Sequence, residues 1–281
     1  MLHHERLRPP PHDYPADEWN VIEKAFHPEF LAQLETMSAL GNGYLGMRGC
    51  PEEGGPNAEN GTFINGFYET RPIVYGEEAY GFAKTGQTIC NVTDGKIIKL
   101  FVDDEPFWLP NAHLLKYDRR LNMKSGTLDR KILWETPAGK QVSITSRRLV
   151  SFPNRHVAAI SYCVTLLNAQ AFVVISSEMA ANGTSVLDDG GDPRLARAFL
   201  GRVLHPRASY SRDRCIVLCH ATEKSRFTLT CATDNALESS CSHSYKVMHT
   251  ADFGQVVFTI EAQPGCPIHL TKYMVLSLIH I

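Results

Sequence analysis

The sequence has no long hydrophobic run, and this argues against a membrane-spanning helix. No segment approaches the roughly 20 continuous apolar residues that a helix needs to cross a bilayer. The first residues, MLHHERLRPPP, contain no apolar core of the length found in a secretory signal peptide. An excess of one charge is also missing, since 28 lysines and arginines stand against 30 aspartates and glutamates. This near balance argues against nucleic-acid and anionic-membrane partners.

Cysteine is sparse, and eight in 281 residues are too few for a scaffold held together by disulfides. Without an export signal we expect these thiols to be reduced and buried, and the protein to be cytoplasmic. Cys231, Cys241 and His243 are too loosely spaced for a zinc site, so no metal is predicted. The sequence also lacks a Walker loop and a G-x-S-x-G nucleophile motif.

From about Thr62 onward apolar residues recur with a period of two, which is typical of β-strands. About ten or more such runs, with almost no helix between them, predict an all-β fold built as a large antiparallel β-sandwich. An Asp94-Gly95 pair between two apolar runs predicts a hairpin. Representative strand-like runs are Lys96–Val102, Leu128–Glu135, Ala171–Ser177, Cys215–His220, Phe227–Ala232 and Gln255–Glu261.

Two short helices are predicted outside the strands. Pro28 suits a first helical position, and helical spacing of apolar residues continues to about Leu40 before Gly41 ends it. A second short helix is expected at 193–200, within a long loop. Residues 1–18, rich in proline, histidine and charge, are expected to form a poorly ordered arm.

The run from Gly41 to Gly46, GNGYLG, matches the G-x-G-x-x-G pattern of dinucleotide-binding sites. That function requires the glycines to lie between a strand and a helix, so that the helix N-terminus meets the pyrophosphate. Here a predicted helix precedes the glycines, and Pro51 follows shortly after them. A glycine-rich turn is therefore predicted, with no nucleotide cofactor.

Several acidic clusters resemble the paired carboxylates of glycosidases. Neighbouring carboxylates on a strand point to opposite faces, so most doublets are expected to be solvated turns. A complete small glycosidase acting through 188–192 is kept as an alternative. The clusters are Glu52-Glu53, Glu77-Glu78, Asp103-Asp104-Glu105 and Asp188-Asp189 with Asp192.

The stretch from Phe63 to Phe82 is dense in aromatic residues and interrupted by glycines and a proline. Packing within loops or at an interface is one interpretation, because aromatic side chains are common at interfaces. A surface lining a carbohydrate site is the other.

Five segments together resemble the N-terminal domain of glycoside hydrolase family 65, which includes maltose, trehalose, kojibiose and nigerose phosphorylases and some hydrolases. The resemblance covers about 19–273, and the run ending in Arg48-Gly49 is its most specific part. The segments are WNV (19–21), ETMSALGNGYLGMRG (35–49), EG (53–54), GTFINGFYE (61–69) and RRLVSF (147–152).

The resemblance implies a β-sandwich domain, here 19–273, that precedes a linker and a catalytic (α/α)6 barrel absent from this chain. In the family the general acid is a glutamate of the barrel, so no residue here matches it, and this chain alone is expected to be inactive. Residues 274–281 do not resemble the family's linker and are expected to be a non-native or truncated tail. The full enzyme is expected to be a homodimer with inorganic phosphate as co-substrate and no cofactor.

The resulting hypothesis is a non-catalytic domain of an enzyme that cleaves an α-glucosyl disaccharide with phosphate, by inversion, to β-glucose 1-phosphate. Hydrolysis and a stand-alone carbohydrate-binding sandwich remain alternatives. Four residues are predicted to lie near the substrate at the mouth of the barrel, with a dimer contact as the alternative role. They are Arg48, Tyr80, Phe82 and Gln87.

Overall fold

The computed structural model describes residues 8–55, 57–58, 60–77, 79–181 and 201–279, and it confirms the all-β sandwich. Nine antiparallel strands form the larger sheet, in the spatial order β1-β9-β10-β11-β12-β19-β16-β15-β14. Their bounds are β1 (Asn20–Glu23), β9 (His113–Asn122), β10 (Thr127–Glu135), β11 (Gln141–Val150), β12 (Val157–Leu166), β14 (His205–Arg212), β15 (Cys215–Ala221), β16 (Thr228–Ser239) and β19 (Ile268–Ile279).

A five-stranded sheet covers one face of the larger sheet, in the order β17-β18-β13-β7-β8. Two small sheets, β2-β3-β4 and β5-β6, complete the fold. The bounds are β2 (Leu40–Gly41), β3 (Leu45–Met47), β4 (Thr62–Ile64), β5 (Tyr68–Pro72), β6 (Thr85–Ile89), β7 (Ile98–Val102), β8 (Glu105–Pro106), β13 (Ala171–Ala180), β17 (His243–His249) and β18 (Phe253–Ala262).

The core lies between the two large sheets and follows from the alternation in the sequence. Ile144, Ile160 and Val164 of the larger sheet and Ile175 and Phe258 of the smaller one are completely buried. Each predicted strand-like run coincides with one strand, although several strands extend beyond the predicted ends. The period of two therefore located the strands, because only one face of each meets the core.

Helix is confined to the N-terminal region of the described residues and to short 3₁₀ turns. A 3₁₀ turn at Pro28–Phe30 leads into α1 (Leu31–Met37), close to the predicted helix. A second 3₁₀ turn is Leu109–Asn111. None of the helices in the described ranges has the length and apolar character needed to cross a bilayer. The helix predicted at 193–200 lies outside the described residues.

The predicted hairpin at Asp94-Gly95 is wrong. The strands on either side pair elsewhere, β6 with β5 and β7 with β13. Asp94 instead pairs through its backbone with Ala180, and its buried carboxylate accepts hydrogen bonds from Lys96. The path of the chain at 94–96 depends on the buried ion pair between Asp94 and Lys96, which local turn preferences do not reveal.

Described residues of both segments predicted to flank the sandwich contact the rest of the fold. Within the arm assigned to 1–18, the Asp13 carbonyl accepts a bond from the Lys24 amide, and the Tyr14 ring packs against Phe30. At the other end β19 does not stop at residue 273. Met274 and Leu276 are completely buried, because the alternation of the strand continues through them.

Candidate functional site

Three arginines lie side by side on the core face of the larger sheet. Arg119 of β9 and Arg130 of β10 are cross-strand partners, and Arg148 of β11 is a diagonal neighbour of Arg130. All three are buried. They occupy positions where the alternation of the strands calls for apolar side chains, which is the signal that the sequence analysis passed over.

Carboxylates from outside these strands neutralise the three arginines. Arg130 donates to both oxygens of Glu53, at 2.8 and 2.6 Å, and contacts Glu52 at 2.8 Å. Arg148 donates to Glu52 Oε1 at 2.8 Å, and Arg119 donates to Glu23 at 3.1 Å. We call these six residues the buried charge layer: Arg119, Arg130, Arg148, Glu23, Glu52 and Glu53.

The buried charge layer holds the loop at 48–55 against the sheet. Arg148 donates to the backbone carbonyls of Arg48 at 3.2 Å and Cys50 at 2.9 Å. Arg119 donates to the carbonyl of Gly49. The Glu52-Glu53 doublet, predicted to be a solvated turn, is therefore buried, because the arginines compensate for its lost hydration.

Burial and the neighbouring arginines shift the pKa values of Glu52 and Glu23 in opposite directions. Burial alone would raise the pKa of Glu52, but the Arg130 and Arg148 guanidinium groups outweigh this and lower the pKa to about 2. For Glu23, burial outweighs Arg119 and raises the pKa. Glu23 nevertheless accepts hydrogen bonds from Arg119 and from the Tyr117 hydroxyl, and it is not open to solvent.

A further buried cation, outside the buried charge layer, lies on β19. Lys272 is completely buried, and its ammonium donates to the carbonyls of Ile97 at 3.0 Å and Glu178 at 2.6 Å. Burial lowers the pKa of Lys272 to about 7, although Asp94 and other nearby groups act in the opposite direction.

Lys272 should make stability depend on pH in a direction that is easy to test. Its folded-state pKa of about 7 lies below the ordinary lysine value of 10.5, so the unfolded chain binds more protons between these limits. Relative to Lys272→Met, the wild type should therefore gain up to about 1.4 kcal/mol of unfolding free energy per pH unit above pH 7. Urea unfolding of both proteins at pH 7, 8 and 9 measures this gain. A constant difference would contradict it, and Lys131→Met controls for the loss of a positive charge on the same sheet.

Arg48, predicted to lie near the substrate, makes hydrogen bonds within the domain. Its guanidinium contacts Glu35 of α1 at 3.4 Å and donates to the Ala32 carbonyl at 3.2 Å. Its methylene groups cross Gly61, where a Cβ atom would lie 1.9 Å from Arg48 Cδ. Arg48 thus joins the helix, the 48–55 loop and the start of β4.

The hairpin formed by β5 and β6 carries Tyr80 and Phe82 in its connecting segment and Gln87 on β6. Gln87 is exposed on β6 opposite Thr70. Tyr80 is fully exposed near the tip, and Phe82 is half exposed with its ring 4.8 Å from that of Tyr75. The hairpin therefore presents aromatic surface to the outside, and Arg48 is bonded to a different element.

The base of this hairpin is fixed by a carboxylate. Glu69 of β5 accepts backbone hydrogen bonds from Glu223, Lys224 and Ser225 at 2.8 to 3.0 Å. Burial would raise its pKa, but these amides and that of Thr70 outweigh burial and lower it. Glu69 thus ties the hairpin to the turn between β15 and β16.

The glycine motif is a turn, as predicted, and it lies between two short strands, β2 and β3, that were not predicted. The side chain of Asn42 accepts bonds from the amides of Tyr44 and Leu45, at 3.0 and 2.8 Å, which closes the β2–β3 turn. Its amide group donates to the carbonyls of Ser151 and Arg155. No helix follows these glycines, so the geometry that a dinucleotide requires is missing at this turn.

Other predicted chemical groups have structural roles or lie outside the described residues. Asp103, in the β7–β8 turn, forms an ion pair with Lys140, which immediately precedes β11. All eight cysteines are among the described residues, and none forms a disulfide. Within the described ranges, no cluster of three or more histidine, cysteine or acidic residues is arranged to hold a metal. The alternative acids at 188–192 lie outside those ranges.

Comparison with known proteins identifies this architecture. The family model described as "Glycosyl hydrolase family 65, N-terminal domain" matches residues 21–278 of this chain. An alpha,alpha-trehalose phosphorylase of Thermoanaerobacter brockii is 38% identical over 265 residues, covering 93% of this chain and 34% of that protein. An uncharacterized glycosyl hydrolase of Mycobacterium tuberculosis is 36% identical over 261 residues, covering 93% of this chain and 33% of its own length.

A weaker sequence match and a structural match are consistent with this family and this fold. A kojibiose phosphorylase of Caldanaerobacter subterraneus is 32% identical over 198 residues, covering 70% of this chain and 23% of that protein. A solved structure named "Putative kojibiose phosphorylase from human microbiome" has the same fold, with a TM-score of 0.77 at 19% identity, covering 93% of this chain and 32% of that one. The chain spans about a third of the length of these relatives or less. The chain therefore belongs to glycosyl hydrolase family 65 and corresponds to the N-terminal domain of that family.

Proposed function

We propose that this domain is the non-catalytic scaffold of a cytoplasmic enzyme that cleaves an α-glucosyl disaccharide with inorganic phosphate and inverts the anomeric centre to give β-glucose 1-phosphate. The observation that carries the scaffold role is the state of the buried carboxylates. Those of the buried charge layer are tied to arginines, and Asp94 and Glu178 are tied to lysines. Glu35 is paired with Arg48, and Glu69 with backbone amides.

A glycosidic proton donor needs a carboxylic acid that is protonated near neutral pH and open to the substrate. Glu52 and Asp94 have lowered pKa values, and both are buried. Glu23, whose pKa is raised, is buried on β1 and accepts hydrogen bonds from Tyr117 and Arg119 of the neighbouring strand β9. Membership of the family implies that the proton donor lies in the remaining two-thirds of the full-length protein, and none of these buried carboxylates competes with that assignment. Phosphate is already anionic, so the reaction needs no second carboxylate to activate water.

Trehalose is the first disaccharide to test. The chain resembles a trehalose phosphorylase over 93% of its length at 38% identity. Its matches to kojibiose phosphorylases are shorter and weaker, which supports kojibiose as the second substrate to test.

An activity assay of two proteins tests the proposal, the full-length protein and the chain 1–281. With trehalose and phosphate, the full-length protein should release β-glucose 1-phosphate, whereas chain 1–281 should release no product. Glucose release that does not require phosphate would replace phosphorolysis by hydrolysis. Turnover by chain 1–281 would favour a small glycosidase using Asp188, Asp189 or Asp192. Binding of trehalose by chain 1–281 without turnover would favour the carbohydrate-binding alternative.

We further propose that the exposed face of the β5–β6 hairpin lies beside the substrate. In the full-length enzyme Tyr80→Ala and Phe82→Ala should raise KM for the disaccharide about tenfold, through loss of about 1.4 kcal/mol of stacking. Gln87→Ala should have a smaller effect in the same direction. Phe172→Ala, which removes a half-exposed ring elsewhere, is the matched control.

Gel filtration distinguishes the alternative role of the hairpin. If it contacts a second subunit in a homodimer, Tyr80→Ala will change the oligomeric state and leave kinetics per folded subunit unchanged. Arg48→Ala is expected to act through stability, because Arg48 is bonded to α1. Lower kcat or higher KM in stably folded Arg48→Ala would restore Arg48 to the substrate site.

A further inference from the structure

Four buried polar groups beside the buried charge layer have no hydrogen-bond partner among the described residues. They are the Nε–H groups of Arg130 and Arg148 and the hydroxyls of Ser146 and Tyr162. All four residues are at most 5% exposed, so bulk solvent does not reach them. A buried polar group without a partner is costly, and in proteins such groups are normally bonded to other protein atoms or to ordered water.

Strand register places these four groups around one region of the core. Ser146 of β11 lies directly between its cross-strand partners, Arg130 of β10 and Tyr162 of β12. Arg148 is two residues further along β11 and therefore on the same face. Side chains directly opposite each other in a sheet have Cβ atoms about 4.5–5.5 Å apart. The four groups therefore border a shared space and not four separate ones.

Ser146 is the short side chain in this row. It ends at Oγ, whereas Arg130 and Tyr162 on either side extend much further from the sheet. The ends of the two arginines are drawn toward the carboxylates of Glu52 and Glu53. The region above Ser146 is therefore flanked by long side chains whose Nε–H and hydroxyl groups have no protein partner.

The chemistry around this region favours a small neutral ligand. The nearby Glu52 and Glu53 carboxylates disfavour an anion, and the guanidinium groups disfavour a cation. Burial and the charge of Glu53 raise the pKa of Tyr162 well above its ordinary value, so its hydroxyl keeps its proton. Water can donate and accept at once, and a buried water typically makes about three hydrogen bonds to groups that would otherwise be unpaired.

We propose that a buried water site lies above Ser146. One or two water molecules accept hydrogen bonds from the Nε–H groups of Arg130 and Arg148 and bridge the hydroxyls of Ser146 and Tyr162. The water links β10, β11 and β12 beneath the loop at 48–55 and completes the polar contacts of the buried charge layer. The site follows from strand register and burial, so it is independent of the proposed enzymatic activity.

A high-resolution crystal structure of the full-length protein tests the site directly. Density for water should lie within about 3.2 Å of at least three of the four polar atoms. Absence of such density, or a direct hydrogen bond from the Tyr162 hydroxyl to Glu53, would overturn the proposal. A second crystal is soaked in bromide, and an anomalous peak above Ser146 would identify an anion site and overturn it as well.

Tyr162→Phe gives an independent test through the sign of its effect. Loss of a hydroxyl bonded to water should lower the midpoint of thermal unfolding of the full-length protein by about 2–4 °C. Tyr117→Phe, which removes a hydroxyl that donates to Glu23 at 3.3 Å, is the matched control and should give a similar loss. An unchanged or raised midpoint for Tyr162→Phe would show that its hydroxyl has no partner and would overturn the proposal.

A double variant tests whether the two hydroxyls share the water. Tyr162→Phe and Ser146→Ala together should lower the midpoint by less than the sum of the two single losses, because each single change already weakens the same site. Strictly additive losses would contradict a water that bridges the two residues.

Discussion

Replacing Arg130 by methionine is expected to lower the free energy of unfolding by about 3 to 5 kcal/mol, the range for removing one partner of a buried ion pair. The guanidinium group donates two bonds to Glu53 and also contacts Glu52. Without it Glu53 is left as a buried charge, while Glu52 retains Arg148. Equilibrium urea unfolding at pH 7 measures the loss.

Arg147→Met is the matched control for this experiment. Arg147 lies on the neighbouring strand and is also paired with an aspartate, Asp129, but its side chain is 65% exposed. Its loss should cost less than about 1 kcal/mol, as for other surface ion pairs. Adding Glu53→Gln to Arg130→Met should recover part of the stability, because it removes the uncompensated charge. Similar losses for Arg130→Met and Arg147→Met would show that the buried charge layer is not what anchors the loop.

The effect of Arg130→Met should also shrink in acid. The pKa of Glu52 is lowered to about 2 in the folded protein, so its ion pairs stabilise the wild type fully above pH 4.5 and progressively less as the pH falls toward 2. The difference between wild type and variant should therefore be smaller at pH 3 than at pH 7. A difference that grows toward low pH would contradict this sign.

Gly61→Ala is expected to cost about 3 kcal/mol or more, because two penalties combine at this position. Gly61 has φ of +53°, a conformation that costs a residue with a Cβ about 1–2 kcal/mol. The new methyl group would also lie 1.9 Å from Arg48 Cδ and 2.7 Å from Arg48 Cβ. Side-chain rotation cannot move the Cβ atom, and the backbone at Arg48 is held by a 2.7 Å bond to the Gly61 carbonyl.

Gly139→Ala separates the two penalties. Gly139 has φ of +78°, but no atom lies within 4 Å of its added Cβ position. This variant should therefore lose only the conformational part, about 1 kcal/mol. Thermal and urea unfolding of both variants give the comparison. Equal losses would mean that Arg48 yields easily, and that its packing across Gly61 does not fix the loop.

The all-β class and the position of most strands were predictable, because strand alternation is a local property. Ile160, Tyr162 and Val164 must share a face in any extended chain, whatever lies beside them. The hairpin at Asp94-Gly95 failed for the complementary reason. Its outcome depended on Lys96 and on pairing with Ala180, and the latter lies 86 residues away (180 − 94).

Some features of the candidate site could likewise be predicted from the sequence, and others could not. Resemblance over several motifs indicated the family, and clustering in sequence placed Tyr80, Phe82 and Gln87 together, because all three lie in one hairpin. Sequence alone gave no sign that Arg148 binds the carbonyls of Arg48 and Cys50, about 100 residues earlier in the chain. That contact forms only when the 48–55 loop packs against β11.

By itself the sequence determined that this chain forms antiparallel strands with one buried face, since hydrophobic period and turn residues act over a few positions. Only the tertiary structure decided which charges are sealed in the core and which sheet face stays open. Those outcomes depend on which strands become neighbours and in what register, and neither is fixed until distant segments pack together.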